Sequence, residues 1–189
     1  VPVMAGVVFP KGLVTGDIGA SETGLYVTPK RTWNDGSVKH AVISGVVEAE
    51  TRVTFNQTPN SGTNLTYADI QSAAPTAVVT CGSYGSVSLA TLIQSLPYRT
   101  WISTPGMVEC HYRGSVGITD MMVWFHVRHF SNGKTWVRIV TENPPMIRSD
   151  GTDYTYTATA TIDGTQVINE VDWLHYRNAG WTAHRWVGI

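Results

Sequence analysis

Glu109 and His111 form the first residue pair that could do chemistry. They lie two apart in the segment 107–112, which has the residue types of a β-strand. Alternate residues of a strand share one face, so both side chains would point the same way. A carboxylate beside an imidazole can perform general acid–base catalysis. The carboxylate could equally pair with Arg99 or Arg113, and the sequence favours this structural pairing because no known catalytic motif surrounds it.

Six histidines could serve as bases or metal ligands. His126 and His129 lie three residues apart, and this odd spacing sends strand residues to opposite faces, which argues against a shared metal ion. His175 and His184 could meet across a bend at residues 177–180, but we favour the alternative of two hydrogen-bonded surface histidines. No Cys/His set has zinc-site spacing, so the sequence predicts no metal site and no cofactor.

Two further groups of residues give weaker signals. The segment 150–153 places Asp150 and Asp153 around a glycine, which could hold calcium but falls far short of a full calcium-binding loop. It is better interpreted as the turn before a hairpin. Cys81 and Cys110 could form a disulfide or remain reduced and buried, and we favour two structural thiols.

The C-terminal segment 173–186 is the densest chemical feature of the chain. Aromatic rings beside Arg, His and Asn suit protein interfaces, and they also suit sugars, whose C–H faces stack on rings. A third possibility is that the rings belong to the core. We predict that the segment folds back as a contact surface for a neighbouring domain or subunit, with a core role and then a carbohydrate surface as the alternatives. Its candidate residues are Trp173, His175, Tyr176, Arg177, Trp181, His184, Arg185 and Trp186.

Three hairpins provide the framework for these residues. Their predicted turns lie at residues 34–36, 131–133 and 163–164, where glycine supplies the positive φ that tight turns require. In the segment 154–162, Tyr, Ala and Ile alternate with Thr, a period of two that is typical of a half-buried strand. Long exposed helices would require more Glu, Lys and Arg than this chain contains.

Two short helices are predicted within this β-structure. One begins near residue 66 and ends before Pro75, and the other spans 88–96, where leucines and an isoleucine recur at helical spacing before Pro97. The segment 57–64 is rich in Pro, Ser, Gly and Asn and predicts an exposed loop. We therefore expect an all-β fold, a small closed or partly open antiparallel β-barrel with one or two short helices.

The composition limits the class of protein. The chain has 189 residues, of which 14% are charged, and a formal net charge of −1. This balance argues against a nucleic-acid-binding protein, and no apolar run is long enough for a membrane span. We expect one β-barrel domain over residues 1–189, cut from a longer chain with further domains after Ile189.

Several blocks, in this order, resemble a known family. Residues 31–41 resemble a tWpDGSvkhA hairpin, and residues 99–109 a tWlsGplvsE block. Residues 125–138, continued by 141–143, resemble an fhvryyadGkvrv strand pair, and residues 175–186 resemble the family's aromatic end. Together they are similar to the N-terminal β-barrel domain of exo-rhamnogalacturonan-lyase-like proteins. Related domains occur in tail-associated proteins encoded by phages and prophages.

The chain departs from the family pattern at Asn34, where the family prefers Pro, and at residues 103–105, where it prefers an earlier Gly. Both changes fall in turns. The resemblance implies a barrel of the riboflavin-synthase-like kind that precedes a helical toroid. In the lyases that later domain is the expected seat of catalysis, so no catalytic residue is carried over to this chain.

The function expected from these features is a non-catalytic structural or adsorption module of a phage tail or other virion-surface protein. The alternative is an accessory N-terminal domain of a secreted polysaccharide lyase or another carbohydrate-active enzyme. The expected partners are other domains or subunits of the same assembly and a polysaccharide, and not nucleic acid or membrane. The expected location is the virion tail or the extracellular space. The chain alone is not expected to be an enzyme.

Overall fold

The computed structural model describes residues 1–48, 52–144 and 153–188. Within these ranges the chain is mostly antiparallel β-structure with two short α-helices, which confirms the all-β prediction. No sheet closes on itself over the described residues, so the architecture is partly open and not a closed barrel.

The secondary-structure elements are numbered in chain order. The helices are α1 (Tyr67–Ala73) and α2 (Leu89–Leu92), with a 3₁₀ turn at Gly82–Tyr84. The strands are β1 (Pro2–Val8), β2 (Gly19–Ala20), β3 (Leu25–Thr32), β4 (Val38–Val46), β5 (Phe55–Asn56), β6 (Ala77–Cys81), β7 (Ser86–Ser88), β8 (Arg99–Ser103), β9 (Met107–Ser115), β10 (Met122–Phe130), β11 (Thr135–Glu142), β12 (Tyr154–Ile162), β13 (Thr165–His175) and β14 (Gly180–Val187).

The described residues divide into two compact units. The first contains Val1–Thr66, Ile102–Val108 and Phe130–Lys134, and the second contains the remainder of the described chain. In the first unit, β1, β4 and β3 form a three-stranded sheet, and β2 pairs with β5. Its buried side chains include Phe9, Leu25 and Ile43.

The predicted turn at residues 34–36 joins β3 to β4 in this first unit. Asp35 Oδ1 accepts hydrogen bonds from the backbone N–H of Ser37 at 3.0 Å and from its hydroxyl at 2.6 Å. Gly36 has a φ of +84°, which only glycine adopts without strain. The local side-chain bonds and the glycine therefore specify this hairpin.

The second unit contains most of one antiparallel sheet and the whole of another. One has the strand order β14-β11-β10-β9-β8, and the other has the order β13-β12-β6-β7. The predicted turns after β10 and β12 both join paired strands. In β12, alternate residues from Tyr156 to Ile162 are buried, as the threonine alternation predicts. The period-two pattern therefore identifies the core face of this strand correctly.

The two predicted helices are both present, although one is shorter than expected. Helix α1 matches the prediction at residue 66 onward, and its Ile70 is fully buried. Helix α2 covers only four of the nine predicted positions. Strand β7 occupies residue 88 at the predicted start, and Leu96 at the predicted end is 73% exposed and so does not pack in the core. The segment 57–64 lies outside helices and strands. None of the helices in the described ranges has the length and hydropathy that a membrane crossing demands.

Candidate functional site

One surface of the second unit combines four of the chain's seven tryptophans with three of its six histidines and four of its nine arginines. Along β9, β10 and β11, alternate residues such as Cys110, Phe125 and Ile139 are buried, so the residues between them point away from the core. We call the surface formed by these outward residues the arginine–tryptophan face. It consists of Arg99, Trp101, Glu109, His111, Arg113, Trp124, His126, Arg128, Trp136, Arg138, Val140, Glu142, Thr182, His184 and Trp186.

Strand register aligns these side chains into rows that run across the sheet. Directly paired residues in neighbouring antiparallel strands have Cβ atoms about 5 Å apart, so each row is a continuous surface. The rows across β10, β11 and β14 are Arg128–Trp136–Trp186, His126–Arg138–His184 and Trp124–Val140–Thr182. Each row combines residues that are far apart in the sequence.

The arginine–tryptophan face is cationic, although the chain as a whole has a net charge of −1. Four arginines belong to it against two glutamates. Guanidinium groups lie over its aromatic rings, with Arg128 at 4.3 Å from the Trp136 centroid and Arg99 at 4.4 Å from the Trp101 centroid. Such cation–π contacts hold the charged groups in place while leaving them at the surface.

Glu109 lies at the centre of this face and is buried, with 3% exposure. Its Oε2 accepts a hydrogen bond from Arg128 Nε at 2.8 Å, and its Oε1 lies 2.9 Å from His111 Nε2. Burial would raise the pKa of Glu109, but the His111 hydrogen bond and the Arg128 charge outweigh burial and hold that pKa below its usual range. The predicted pairing with Arg99 or Arg113 is wrong, because β10 places Arg128 beside the carboxylate.

His126 adds a second imidazole to the Glu109–His111 pair. Its ring stacks on that of His111, with centroids 4.1 Å apart and an interplanar angle of 15°. Burial, together with the neighbouring His111, lowers the pKa of His126 to about 4, so its ring is neutral at pH 7. Oxygen and nitrogen atoms of Glu109, His111 and His126 all lie within 4.8 Å of one another, which makes them a possible metal-ligand set.

The cluster of all three side chains is not evident from the sequence, because its members come from two strands. A search for spacing within one segment pairs His126 with His129, which point to different sides of β10. The signal that could have revealed the cluster is Glu-x-His on one predicted strand followed by a histidine on the next.

Two depressions open on the arginine–tryptophan face. One has a volume of about 290 Å³ and is lined by Tyr98, Arg99, His111, Trp124, His126, Val140 and Glu142. The other, about 420 Å³, shares Val140 and Glu142 with it and extends to residues 178–180. Trp124 Nε1 donates a hydrogen bond to Glu142 Oε2 at 2.9 Å, which holds the indole against a residue that lines both depressions. The face therefore has two depressions beside its rows of aromatic residues.

The C-terminal segment does not form a single surface. His184 and Trp186 belong to the arginine–tryptophan face, and their rows include Arg138 and Trp136 respectively. Trp181 is only 7% exposed and His175 only 1%, so both are core residues and the prediction of a contact surface is wrong for them. For Trp181 the physical reason is the strand period, which alternates residues 180–184 between the outward face and the core, while His175 ends β13 at a buried position where it bonds to Tyr156.

The remaining residues of that segment lie elsewhere. Trp173 is half-buried in β13, opposite Tyr156, while Tyr176 and Arg177 are exposed in the bend that follows. Arg185 is exposed near the end of β14. His175 is hydrogen-bonded to Tyr156 and to the Ala179 carbonyl, but it is buried, so the prediction of a surface histidine is wrong for it, whereas His184 is exposed.

Two other sequence features bear on the search for a site. Cys81 and Cys110 are both buried and unbridged, as expected for structural thiols. Calcium binding is a hypothesis for residues 150–153. Of these, residues 150–152 lie outside the described part of the chain. Asp153 itself accepts a hydrogen bond from the Arg177 backbone N–H at 2.8 Å.

A separate depression of about 490 Å³ lies in the first unit. Its lining is largely apolar, with Phe9, Val14 and Phe55, and its charged residues are Asp17 and Arg52. It offers burial for an apolar group but lacks the dense polar and aromatic chemistry of the arginine–tryptophan face. We therefore take that face as the candidate site.

Comparison with known proteins gives no further constraint: no family model, no curated protein and no solved structure matches this chain.

Proposed function

We propose that the chain is a non-catalytic polysaccharide-binding module whose arginine–tryptophan face adsorbs to an acidic polysaccharide. The observation that carries the proposal is the row Arg128–Trp136–Trp186 beside the row His126–Arg138–His184. Aromatic rings and planar cations alternate there on one sheet, and the Arg128 guanidinium lies over one face of the Trp136 ring.

Aromatic rings supply the apolar part of sugar recognition. The C–H face of a pyranose can stack on an indole, and Trp136 and Trp186 are direct partners in neighbouring strands. Strands lie about 4.8 Å apart, so a row of three strands offers about 10 Å of contact, enough for more than one sugar ring. A polymer is therefore a better fit than a monosaccharide.

The arginines supply the charged part of recognition. A guanidinium group matches the geometry of a carboxylate and can donate two parallel hydrogen bonds to it. Arg138 lies between two histidines in its row, and Arg113 and Arg99 extend the positive charge toward β8 and β9. This excess of cations favours a polymer that contains uronate sugars over a neutral one.

The resemblance to barrel domains of exo-rhamnogalacturonan-lyase-like proteins and of phage tail-associated proteins suggests two settings. In a virion tail the face would adsorb to a host surface polysaccharide. In a secreted lyase it would hold the polymer for a catalytic domain. We favour the virion setting, and both settings require the same binding event.

Affinity electrophoresis through gels that contain polygalacturonate tests the proposal directly. We expect the chain to be retarded by polygalacturonate, not by neutral dextran, and less strongly at high salt because added ions screen the carboxylates. Trp136→Ala and Arg138→Gln should each weaken binding about five- to thirtyfold, the equivalent of one lost contact of about 1–2 kcal/mol.

Two control variants distinguish binding at the arginine–tryptophan face from nonspecific binding. Arg31→Gln removes one positive charge from an exposed position of the first unit, and Tyr176→Ala removes an exposed ring outside the face. Both should bind like the wild type. Equal loss in all four variants, or no retardation by polygalacturonate at all, would contradict the proposal.

A further inference from the structure

The Glu109, His111 and His126 cluster has the composition of a metal site. Two imidazole nitrogens and one carboxylate oxygen lie within 4.8 Å of one another, with 2.9 Å between Glu109 Oε1 and His111 Nε2. Four-coordinate zinc has bonds of about 2.0–2.2 Å, which puts its ligand atoms about 3.3 Å apart. The His111 and His126 rings are stacked and nearly parallel, so both must turn out of that stack before their nitrogen lone pairs can converge on one ion.

The sheet provides a rigid frame for these ligands. Glu109 and His111 are alternate residues of β9 and share its outward face, while His126 extends from the neighbouring strand β10. Alternate residues on one strand and a third on the next converge without any loop movement. Sites built on strands hold their ligands more precisely than sites built on loops.

Surrounding residues orient two of the three ligands. Arg128 Nε bonds to Glu109 Oε2, which leaves Oε1 directed toward His111. The Trp101 ring lies nearly parallel to that of His111, with an interplanar angle of 13°. Such outer contacts fix the ligand side chains of metal sites. The Arg128 charge also repels a cation, so the affinity should fall below that of dedicated structural zinc sites.

We propose that Glu109, His111 and His126 bind one divalent transition-metal ion, zinc above all, with a coordination position left open toward solvent. Nitrogen ligands select zinc, cobalt or nickel over calcium and magnesium, which prefer oxygen ligands. The three ligands belong to the arginine–tryptophan face, but zinc binding is measured without any polysaccharide, so its failure and the failure of the proposed function are distinguishable.

Calorimetric titration of the tag-free 189-residue chain with zinc chloride is the first test. We expect one ion per chain with a dissociation constant on the order of 1 µM, and no binding of calcium or magnesium. His111→Gln and His126→Gln should each weaken zinc binding at least about tenfold. His40→Gln, which removes a histidine of the first unit, should leave it unchanged.

Cobalt(II) supplies a second measurement that needs no variant to fold. The wild type should give an intense visible d–d band without the near-ultraviolet band of a cobalt–thiolate bond, since no cysteine takes part. The proposal is overturned if zinc at about 100 µM does not bind. It is also overturned if folded His111→Gln and His126→Gln bind like the wild type, or if the cobalt spectrum shows thiolate ligation.

Discussion

The phenol oxygen of Tyr156 lies 2.8 Å from Nδ1 of His175, and both side chains are buried. His175 Nε2 must donate to the Ala179 carbonyl, 3.0 Å away, so Nδ1 accepts the phenol proton. Trp181 Nε1 in turn donates to the Tyr156 oxygen at 3.3 Å. This chain of hydrogen bonds links β14, β12 and β13 and requires a neutral histidine.

The neutral state of His175 predicts an acid-sensitive fold. Burial lowers the pKa of His175 from its usual 6.5. Below that pH the unfolded chain binds more protons than the folded one, so the free energy of unfolding falls as the pH falls. Burial lowers the pKa of His126 and His129 in the same direction, so they add to the effect.

Urea unfolding between about pH 7.5 and 5.5 measures this dependence. His175→Gln should lower stability at neutral pH and reduce the slope of stability against pH. His184→Gln, whose imidazole is exposed in the folded chain, is the matched control and should keep the wild-type slope. Identical slopes for His175→Gln and the wild type would show that the His175 proton is not linked to folding.

The backbone conformation of the turn after β12 should make the free energy of unfolding depend on glycine at position 164. Asp163 and Gly164 have φ of +50° and +70°, and a Cβ built at Gly164 meets nothing within 4 Å. Gly164→Val should therefore destabilise by about 1 kcal/mol or more through left-handed strain alone. Asp163→Asn should change stability by less than about 0.5 kcal/mol, because Asn tolerates this region. A neutral Gly164→Val in thermal unfolding would refute the assigned turn.

The two cysteines should be inert in the folded protein. Burial raises the pKa of both the Cys81 and the Cys110 thiol, which suppresses the reactive thiolate. We expect Ellman's reagent to detect no thiol in native buffer and two in denaturant. Ser131→Cys, at an exposed turn position, is the positive control and should react at once. Rapid native reaction of either natural thiol would contradict the burial.

The chain alone should not cleave acidic polysaccharides. A general base must be free to take a proton, but the Glu109 carboxylate is bonded to both Arg128 and His111 and its pKa is lowered. Incubation with polygalacturonate should produce no unsaturated uronate, detected by its ultraviolet absorbance, and no new reducing ends. Turnover that disappears in Glu109→Gln or His111→Ala would instead make these residues the acid and base.

Local features of the fold were predictable from the sequence, and the composition of the face was not. The turns at Gly36, Gly133 and Gly164 are set by neighbouring residues, so the hairpins could be found. The pairing of Trp136 with Trp186 depends on β14 joining β11, a long-range register that no local pattern specifies.

The burial of Trp181 follows a strand pattern that is present in the sequence. In residues 181–184, Trp181 and Ala183 alternate with Thr182 and His184, which is the period of a strand with one face in the core. That alternation assigns the aromatic residues of the segment to two faces of the strand and not to one surface. The Arg128 partner of Glu109 was not predictable in the same way, because it depends on how β10 lies against β9.

The indole resonances of the seven tryptophans provide the most direct test of the proposed function. In ¹H–¹⁵N spectra assigned with single Trp→Phe variants, short oligogalacturonates should shift Trp101, Trp124, Trp136 and Trp186 in a saturable manner. Trp33, in the first unit, and the buried Trp181 should stay in place. No saturable shift, or shifts at Trp33 or Trp173 with the four indoles of the arginine–tryptophan face unchanged, would contradict the assignment of polysaccharide binding to that face.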